Sequence, residues 1–347
     1  EITVNFAHNK SLSLREIKTG GDVSLYIIFY HARDYLLKKT VLVCGVSGLT
    51  GYKIAKLASN FNIIGLYNTR IPDLDCETIQ INLTNTDSLA KIVFSTKPDI
   101  IINTTALHNV DYCEDNQNES FAVNVEAVKN LQLNSEKIGA KLIHLSTDYV
   151  FDGTADRPYS ETETPNPLSI YGKTKLQGEN ILKNSNNVIV RPSVVYGWTP
   201  MELAGKISSS GKPINFAMWL LNSLHQRKPL KIVTDQHATA TLADSLAESV
   251  LHIATTDKSG LYHISGLSCE SRFDFSQKLA KEFGYDSELI SPTTSSEFKQ
   301  KAKRPAYSCL DCTKAIKDFD LKLLKTEDAL KIMRSQVEKD APNLLGK

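Results

Sequence analysis

The chain has 347 residues, 41% of them hydrophobic, which suffices for one large domain or two lobes with a substantial core. Forty basic against thirty-nine acidic residues leave a net charge of +1, so no global field draws it to nucleic acid or an anionic membrane. Six cysteines (Cys44, Cys76, Cys113, Cys269, Cys309 and Cys312) are too sparse for a disulfide framework and read as packing thiols of a reducing, cytoplasmic setting, with no ligand set that completes a metal site around Cys309-x-x-Cys312.

Residues 1–39 do not fit the strand–helix alternation of the rest of the chain and stand as an extension of unassigned role. Their longest apolar run, 23–30, falls well short of the ~20 residues that span a bilayer. It is followed by His31-Ala32-Arg33-Asp34, not by the small residues of a cleavage site. From Val41 onward, β-branched apolar runs alternate with amphipathic stretches, the pattern of βαβ units and a parallel sheet. Strands are predicted at 41–44, 63–67, 99–103, 141–146 and 188–191. Phe121, Val125, Val128 and Leu131 give one buried face to a helix over 117–137. Beyond Tyr196, the Gly, Ser and Lys of 204–213 predict an exposed loop. A helix over 215–226, a short strand at 231–234 and a helix over 242–254 follow, and a strand at 261–265 returns to the main sheet. The expected class is α/β, with a Rossmann-type doubly wound parallel sheet over 40–197 completed by 240–266. A smaller C-terminal α/β substrate lobe is expected from 198–239 and 267–347.

Three motifs carry chemistry. Gly45-Val46-Ser47-Gly48-Leu49-Thr50-Gly51 follows the first strand and opens a helix, where glycine lets the backbone approach a pyrophosphate and free N–H groups stabilise its charge. The spacing is the short-chain dehydrogenase variant of the dinucleotide loop. After the second strand, Tyr67-Asn68-Thr69-Arg70 offers no carboxylate for a ribose 2′-hydroxyl, while Arg70 suits a 2′-phosphate; this favours NADPH, or tolerance of NADPH and NADH. Tyr171-Gly172-Lys173-Thr174-Lys175 puts a phenol and an ammonium on one helix face. A free tyrosine has pKa ~10, so a neighbouring ammonium is what brings it toward use as a general acid/base. Ser146-Thr147-Asp148 ends the fourth strand, the edge at which doubly wound sheets bind ligands, where a hydroxyl can polarise a substrate carbonyl.

The run 146–153, with Tyr159-Ser160-Glu161, Pro165-Asn166-Pro167-Leu168 and 171–179, resembles the signature of the dTDP-4-dehydrorhamnose reductase family. Further similar segments (103–106 to Asp111, Asn215-Phe216-Ala217, Asp235-Gln236, Arg304-Pro305 and Leu310-Asp311) extend the likeness over about 41–335. The resemblance implies NAD(P)H-dependent reduction of a 4-keto-deoxysugar nucleotide. Tyr171 would be the proton donor, Lys175 its partner and ribose ligand, and Thr147, with Asp148 beside it, the hydroxyl near the substrate carbonyl. Cofactor contacts would come from Gly45, Gly48, Leu49 and Gly51, from Asn82 and Leu83, and from Ala106, Leu107 and His108. Val194 stands where many bacterial members carry a tryptophan against the sugar. Arg304, held extended by Pro305, is the expected guanidinium for the sugar diphosphate. The nucleotide sugar, and a second copy of the chain as a homodimer, are the expected partners. Two other readings share the motif set: a cofactor-binding regulatory subunit resembling the beta subunit of methionine adenosyltransferase, which also lacks the tryptophan, and a sugar-nucleotide epimerase.

Overall fold

The computed structural model describes residues 2–6, 10–19, 22–27, 38–183, 185–200 and 215–346. The predicted loop at 204–213 lies outside the described residues.

Seven strands form one parallel sheet: β1 (Thr40–Cys44), β2 (Asn62–Tyr67), β3 (Glu77–Gln80), β4 (Ile100–Asn103), β5 (Lys141–Leu145), β6 (Val188–Arg191) and β7 (Gly260–His263). Their order is β3-β2-β1-β4-β5-β6-β7. The chain therefore leaves β1 toward one edge, returns through β4 and continues to the other, which opens a crevice beside β1. The expected Rossmann-type doubly wound sheet is present, and the strand predicted at 261–265 does rejoin it as β7.

Period-two alternation assigns each strand's side chains to two cores. Val41, Val43, Ile100, Ile102, Ile143, Val188 and Val190 enter one, under the helices Leu49–Leu57 and Ala243–Ala254. Leu42, Cys44, Ile101, Leu142 and Ile189 enter the other, under Thr86–Thr96 and Ala127–Ile138. A third cluster gathers Tyr196, Trp198, the helix Phe216–His225, Phe275, Leu279 and the helix Thr326–Asp340 into the smaller lobe. Ala315, Phe319 and Leu323, expected in that lobe, pack instead into the first core.

The helix predicted over 117–137 is not uniform. Gln117–Phe121 passes through a π-helical turn, Ala122–Glu126, before Ala127–Ile138. Ahead of the main sheet, Ile2–Phe6, Lys10–Thr19 and Asp22–Ile27 form an antiparallel three-stranded sheet. The N-terminal stretch is thus structured where the sequence reading assigned nothing. Among the described residues no helix is long and apolar enough to cross a membrane.

Candidate active site

Every motif lies at the C-terminal edge of the sheet. Gly45 has φ +91°, and a Cβ there would sit 2.8 Å from Thr104 Oγ1; one on Gly51 would run into the Gly45 carbonyl. The loop thus has room for backbone and little else on its inner side. Gly48 N-caps the helix Leu49–Leu57 with no side chain over its amides, leaving them available to an anion. Arg70 donates from Nη2 to the Ser47 carbonyl, so the arginine predicted after β2 closes on the glycine loop, and burial lowers its pKa. Asn82 is exposed and Leu83 buried just beyond β3, where Asn82 Oδ1 accepts from the Thr84 amide at 3.0 Å. Ala106 and Leu107 follow β4, half-buried, with His108 exposed beside them.

Three buried polar atoms in this rim have no protein partner: Arg70 Nε, Thr105 Oγ1 and Ser146 Oγ. Buried donors and acceptors are normally paired, so these fit a polar ligand lying along the crevice from β2 to β5. A dinucleotide suits the donor set, with its pyrophosphate over the glycine loop.

Beyond β5, Thr147 N-caps a short 3-10 turn, accepting from the Tyr149 amide at 3.2 Å, and donates to Asp148 Oδ1 at 3.1 Å. Asp148 is 2% exposed and accepts two further hydroxyls, from Ser193 (2.9 Å) and Ser308 (2.6 Å). Burial raises its pKa while those hydroxyls pull it down. The carboxylate expected beside the substrate is thus engaged in holding three segments together. Ser169 caps the helix Ile170–Leu182, which carries Tyr171 and Lys175 toward Thr147. Burial pushes the Tyr171 phenol above its ordinary pKa, opposed by a hydrogen bond with Thr147. Tyr171 thus lies in the neighbourhood of Thr147, with its ring edge-on to that of Tyr149 at 5.9 Å. Lys175 is 1% exposed and donates to the Leu145 carbonyl at 2.6 Å, with His144 Nε2 3.2 Å away. Burial lowers its pKa to about 8.

Toward the smaller lobe, Val194, Ala238, Ala240, Glu270, Arg272 and Phe275 line a shallow cavity. Val194 has φ +42°, a left-handed conformation that a β-branched residue adopts only at a cost, and its carbonyl accepts from Thr241. The Arg304 fork expected to face a diphosphate is engaged by Asp111, at 2.8 and 3.1 Å. The other guanidinium of this region is Arg272, on the cavity wall and 4.9 Å from the Phe216 ring.

Some site residues escape the sequence reading. Asn124, on the π-helical turn, accepts from the Leu107 amide at 2.9 Å, donates to its carbonyl at 3.2 Å and donates to Thr174 at 3.1 Å, which ties the loop after β4 to the Tyr171 helix. A buried asparagine on an otherwise apolar helix face was its only signal. The cysteines also need correction. Cys269 and Cys309, 40 residues apart, are disulfide-bonded with Cα atoms 5.5 Å apart, so not all six are packing thiols and the compartment argument loses this pair. Cys44, Cys113 and Cys312 are free and buried.

Comparison with known proteins agrees with this geometry. The model of the RmlD substrate binding domain matches residues 39–338. The chain is 32% identical over 311 residues to the dTDP-4-dehydrorhamnose reductase of Aggregatibacter actinomycetemcomitans, covering 86% of this chain and 99% of that one. It is 31% identical over 288 residues to methionine adenosyltransferase 2 subunit beta of Bos taurus, covering 80% and 81%. Among solved structures, dTDP-4-dehydrorhamnose reductase from Bacillus anthracis in complex with NADP superposes with a TM-score of 0.76 at 26% identity, over 86% of this chain and 100% of that one. The chain belongs to the family of the RmlD substrate binding domain, and its architecture is that of an NAD(P)-dependent oxidoreductase.

Proposed function

We propose that the chain reduces a 4-keto-deoxysugar nucleotide with NAD(P)H, and that dTDP-4-dehydrorhamnose is its substrate. The observation that carries this reading is the closeness of Thr147 and Tyr171 beside a glycine loop whose rim holds three unpaired polar atoms. When bound, the cofactor supplies the hydride. Gly45, Gly48, Leu49 and Gly51 would hold its pyrophosphate, Asn82, Leu83, Ala106, Leu107 and His108 would contact the rest of it, and Arg70, now on the Ser47 carbonyl, would take a 2′-phosphate. Thr147, whose single hydroxyl proton goes to Asp148 in the free chain, turns that proton to the substrate's carbonyl oxygen, where negative charge develops. Tyr171 delivers the proton to that oxygen, and Lys175, charged in the cofactor-bound state, stabilises the phenolate left behind. Asp148 fixes Thr147 instead of touching sugar. Val194 and Arg272 face the sugar nucleotide, and Arg304 reaches its diphosphate only by exchanging Asp111 for phosphate.

The likeness to a methionine adenosyltransferase beta subunit, together with Val194 in place of an aromatic platform, supports a second reading, a cofactor-binding partner without turnover. One experiment separates them: NADPH consumption with a panel of 4-keto nucleotide sugars, for the wild type and Tyr171→Phe. The reductase reading expects turnover in the first and nearly none in the second, with NADPH affinity retained. No turnover with any sugar in a wild type that binds NADPH would favour the binding subunit.

A further inference from the structure

The hydrogen bonds around Lys175 admit one protonation pattern. The Asn103 Oδ1 accepts from the Thr105 amide at 3.0 Å, and a backbone N–H is only a donor, so the Asn103 amide nitrogen must face His144. That nitrogen lies 3.1 Å from His144 Nδ1. Because an NH₂ group donates, Nδ1 must be the unprotonated acceptor, and the neutral ring then carries its proton on Nε2. Nε2 is 3.2 Å from Lys175 Nζ. An ammonium has three donors and no lone pair, so a charged Lys175 would point N–H at N–H. A neutral amine has the lone pair that Nε2–H needs, and still donates to the Leu145 carbonyl at 2.6 Å. His144 and Asn103 are 0% and 1% exposed, and no solvent relieves a mismatch there.

We propose that His144 is a positioning residue that, oriented by Asn103, holds Lys175 as the neutral amine in the cofactor-free chain, and that Lys175 takes up a proton when the nicotinamide cofactor binds. This rests on the cofactor-binding part of the function proposed above and not on turnover. The titratable and charged groups that bear on Lys175 are His144 from β5 and Glu179 from its own helix, with Arg191 from β6 paired to Glu179. Arg191 holds the Glu179 carboxylate at 2.6 and 2.8 Å, so that carboxylate is shared and does not fix a charge on Lys175 alone. Burial lowers the Lys175 pKa to about 8, against an upward pull from Glu179, and lowers that of His144 together with the Lys175 charge, so the pair is neutral on the alkaline side. The chemical consequence is that, at alkaline pH where the free chain holds the amine neutral, the ammonium needed beside Tyr171 forms as the hydride donor is seated, and the proton it gains comes from solvent.

Two measurements on the full chain test this. Long-range proton–nitrogen spectra of the free protein, with the His144 signals assigned by their loss in His144→Gln, should show Nε2 protonated and Nδ1 bare. Calorimetry of NADPH binding in buffers of different ionisation enthalpy should show uptake of about one proton per cofactor at pH 9, falling toward zero at pH 6.5. Asn103→Asp presents a carboxylate oxygen to Nδ1, which reverses the tautomer, lets Nε2 accept from the ammonium and should abolish the uptake at pH 9. A proton on Nδ1 in the wild type, or no uptake at pH 9, would overturn the proposal, and equal uptake in Asn103→Asp would remove His144 from it. Neither readout uses the sugar, so a chain that binds NADPH and reduces nothing would leave this inference standing while the reductase reading fell.

Discussion

Gly178→Ala should slow the reaction without unfolding the protein. Gly178 lies in the helix Ile170–Leu182, one turn beyond Lys175, against the π-helical turn. A Cβ there would meet the Asn124 carbonyl oxygen at 2.6 Å, where ordinary contact begins at 3.4 Å, so the two helices must part by 3.4 − 2.6 = 0.8 Å. Alanine favours a helix interior over glycine by roughly 0.5–1 kcal/mol, which offsets much of the strain in the stability of the whole chain. The displacement falls on the helix that aims Tyr171, and on Asn124, which holds the Leu107 backbone. A misplacement of about 1 Å costs on the order of 10²-fold in rate, so kcat should fall by about 10- to 100-fold, or ~1.4–2.7 kcal/mol of transition-state stabilisation. The assay is steady-state NADPH oxidation with the keto sugar nucleotide, run beside a thermal melt and beside Lys173→Ala, an exposed neighbour on the same helix that should leave both unchanged. A Gly178→Ala enzyme with kcat within about twofold of wild type would refute the argument that this contact sets the aim of Tyr171.

Arg70→Ala should weaken NADPH more than NADH if the guanidinium that closes on Ser47 takes the 2′-phosphate as proposed; equal losses in calorimetry would reassign it to loop structure. His263 is 0% exposed and its pKa is lowered to about 3 by burial and then by the Arg191 charge. Its unfolded form binds a proton at about 6.5 and its folded form resists one, so folding stability should fall as pH drops from about 6.5 toward 3. Urea melts across that range should show a shallower slope in His263→Gln. Arg304→Ala should loosen the link to Asp111 and raise KM for the nucleotide sugar with little change in NADPH affinity; an unchanged KM would remove Arg304 from sugar recognition.

The sequence disclosed what local pattern can encode. The buried strands β1, β2, β4, β5 and β6 are mainly apolar, with His144 set within β5, and their predicted limits lie within a residue of the observed ones. β3 was not predicted because it is an edge strand: Glu77 and Gln80 are exposed, so no apolar run marks it. The N-terminal sheet did leave a trace, Leu12 and Leu14 alternating with Ser11 and Ser13 in Lys10–Thr19. At the site, the glycine loop and the Tyr171–Lys175 spacing were legible because backbone clearance and a shared helix face are short-range requirements. The partners of Lys175 were not. His144 lies 31 residues away on β5, Asp111 lies 193 residues from Arg304, and Cys269 is separated from Cys309 by a helix and a strand. Such pairings are fixed by how strands are ordered in the sheet, which no local pattern records.

The Cys269–Cys309 bond makes a covalent ring of the segment between them, and within that ring lie the helix Arg272–Glu282 and the strand Ile290–Thr293. The ring is anchored to the crevice at one end by Ser308 on Asp148, next to the bonded Cys309, and on the cavity wall by Arg272 near the other. A protease that nicks the exposed stretch around Glu297 to Gln300 would therefore release no fragment, and the cut would become visible only on a reducing gel. In the chain-entropy account, closing a loop of 40 residues removes about 4 kcal/mol of freedom from the unfolded chain. The cavity wall that Arg272 and Phe275 form would thus keep its two halves tethered even when its own backbone is cut.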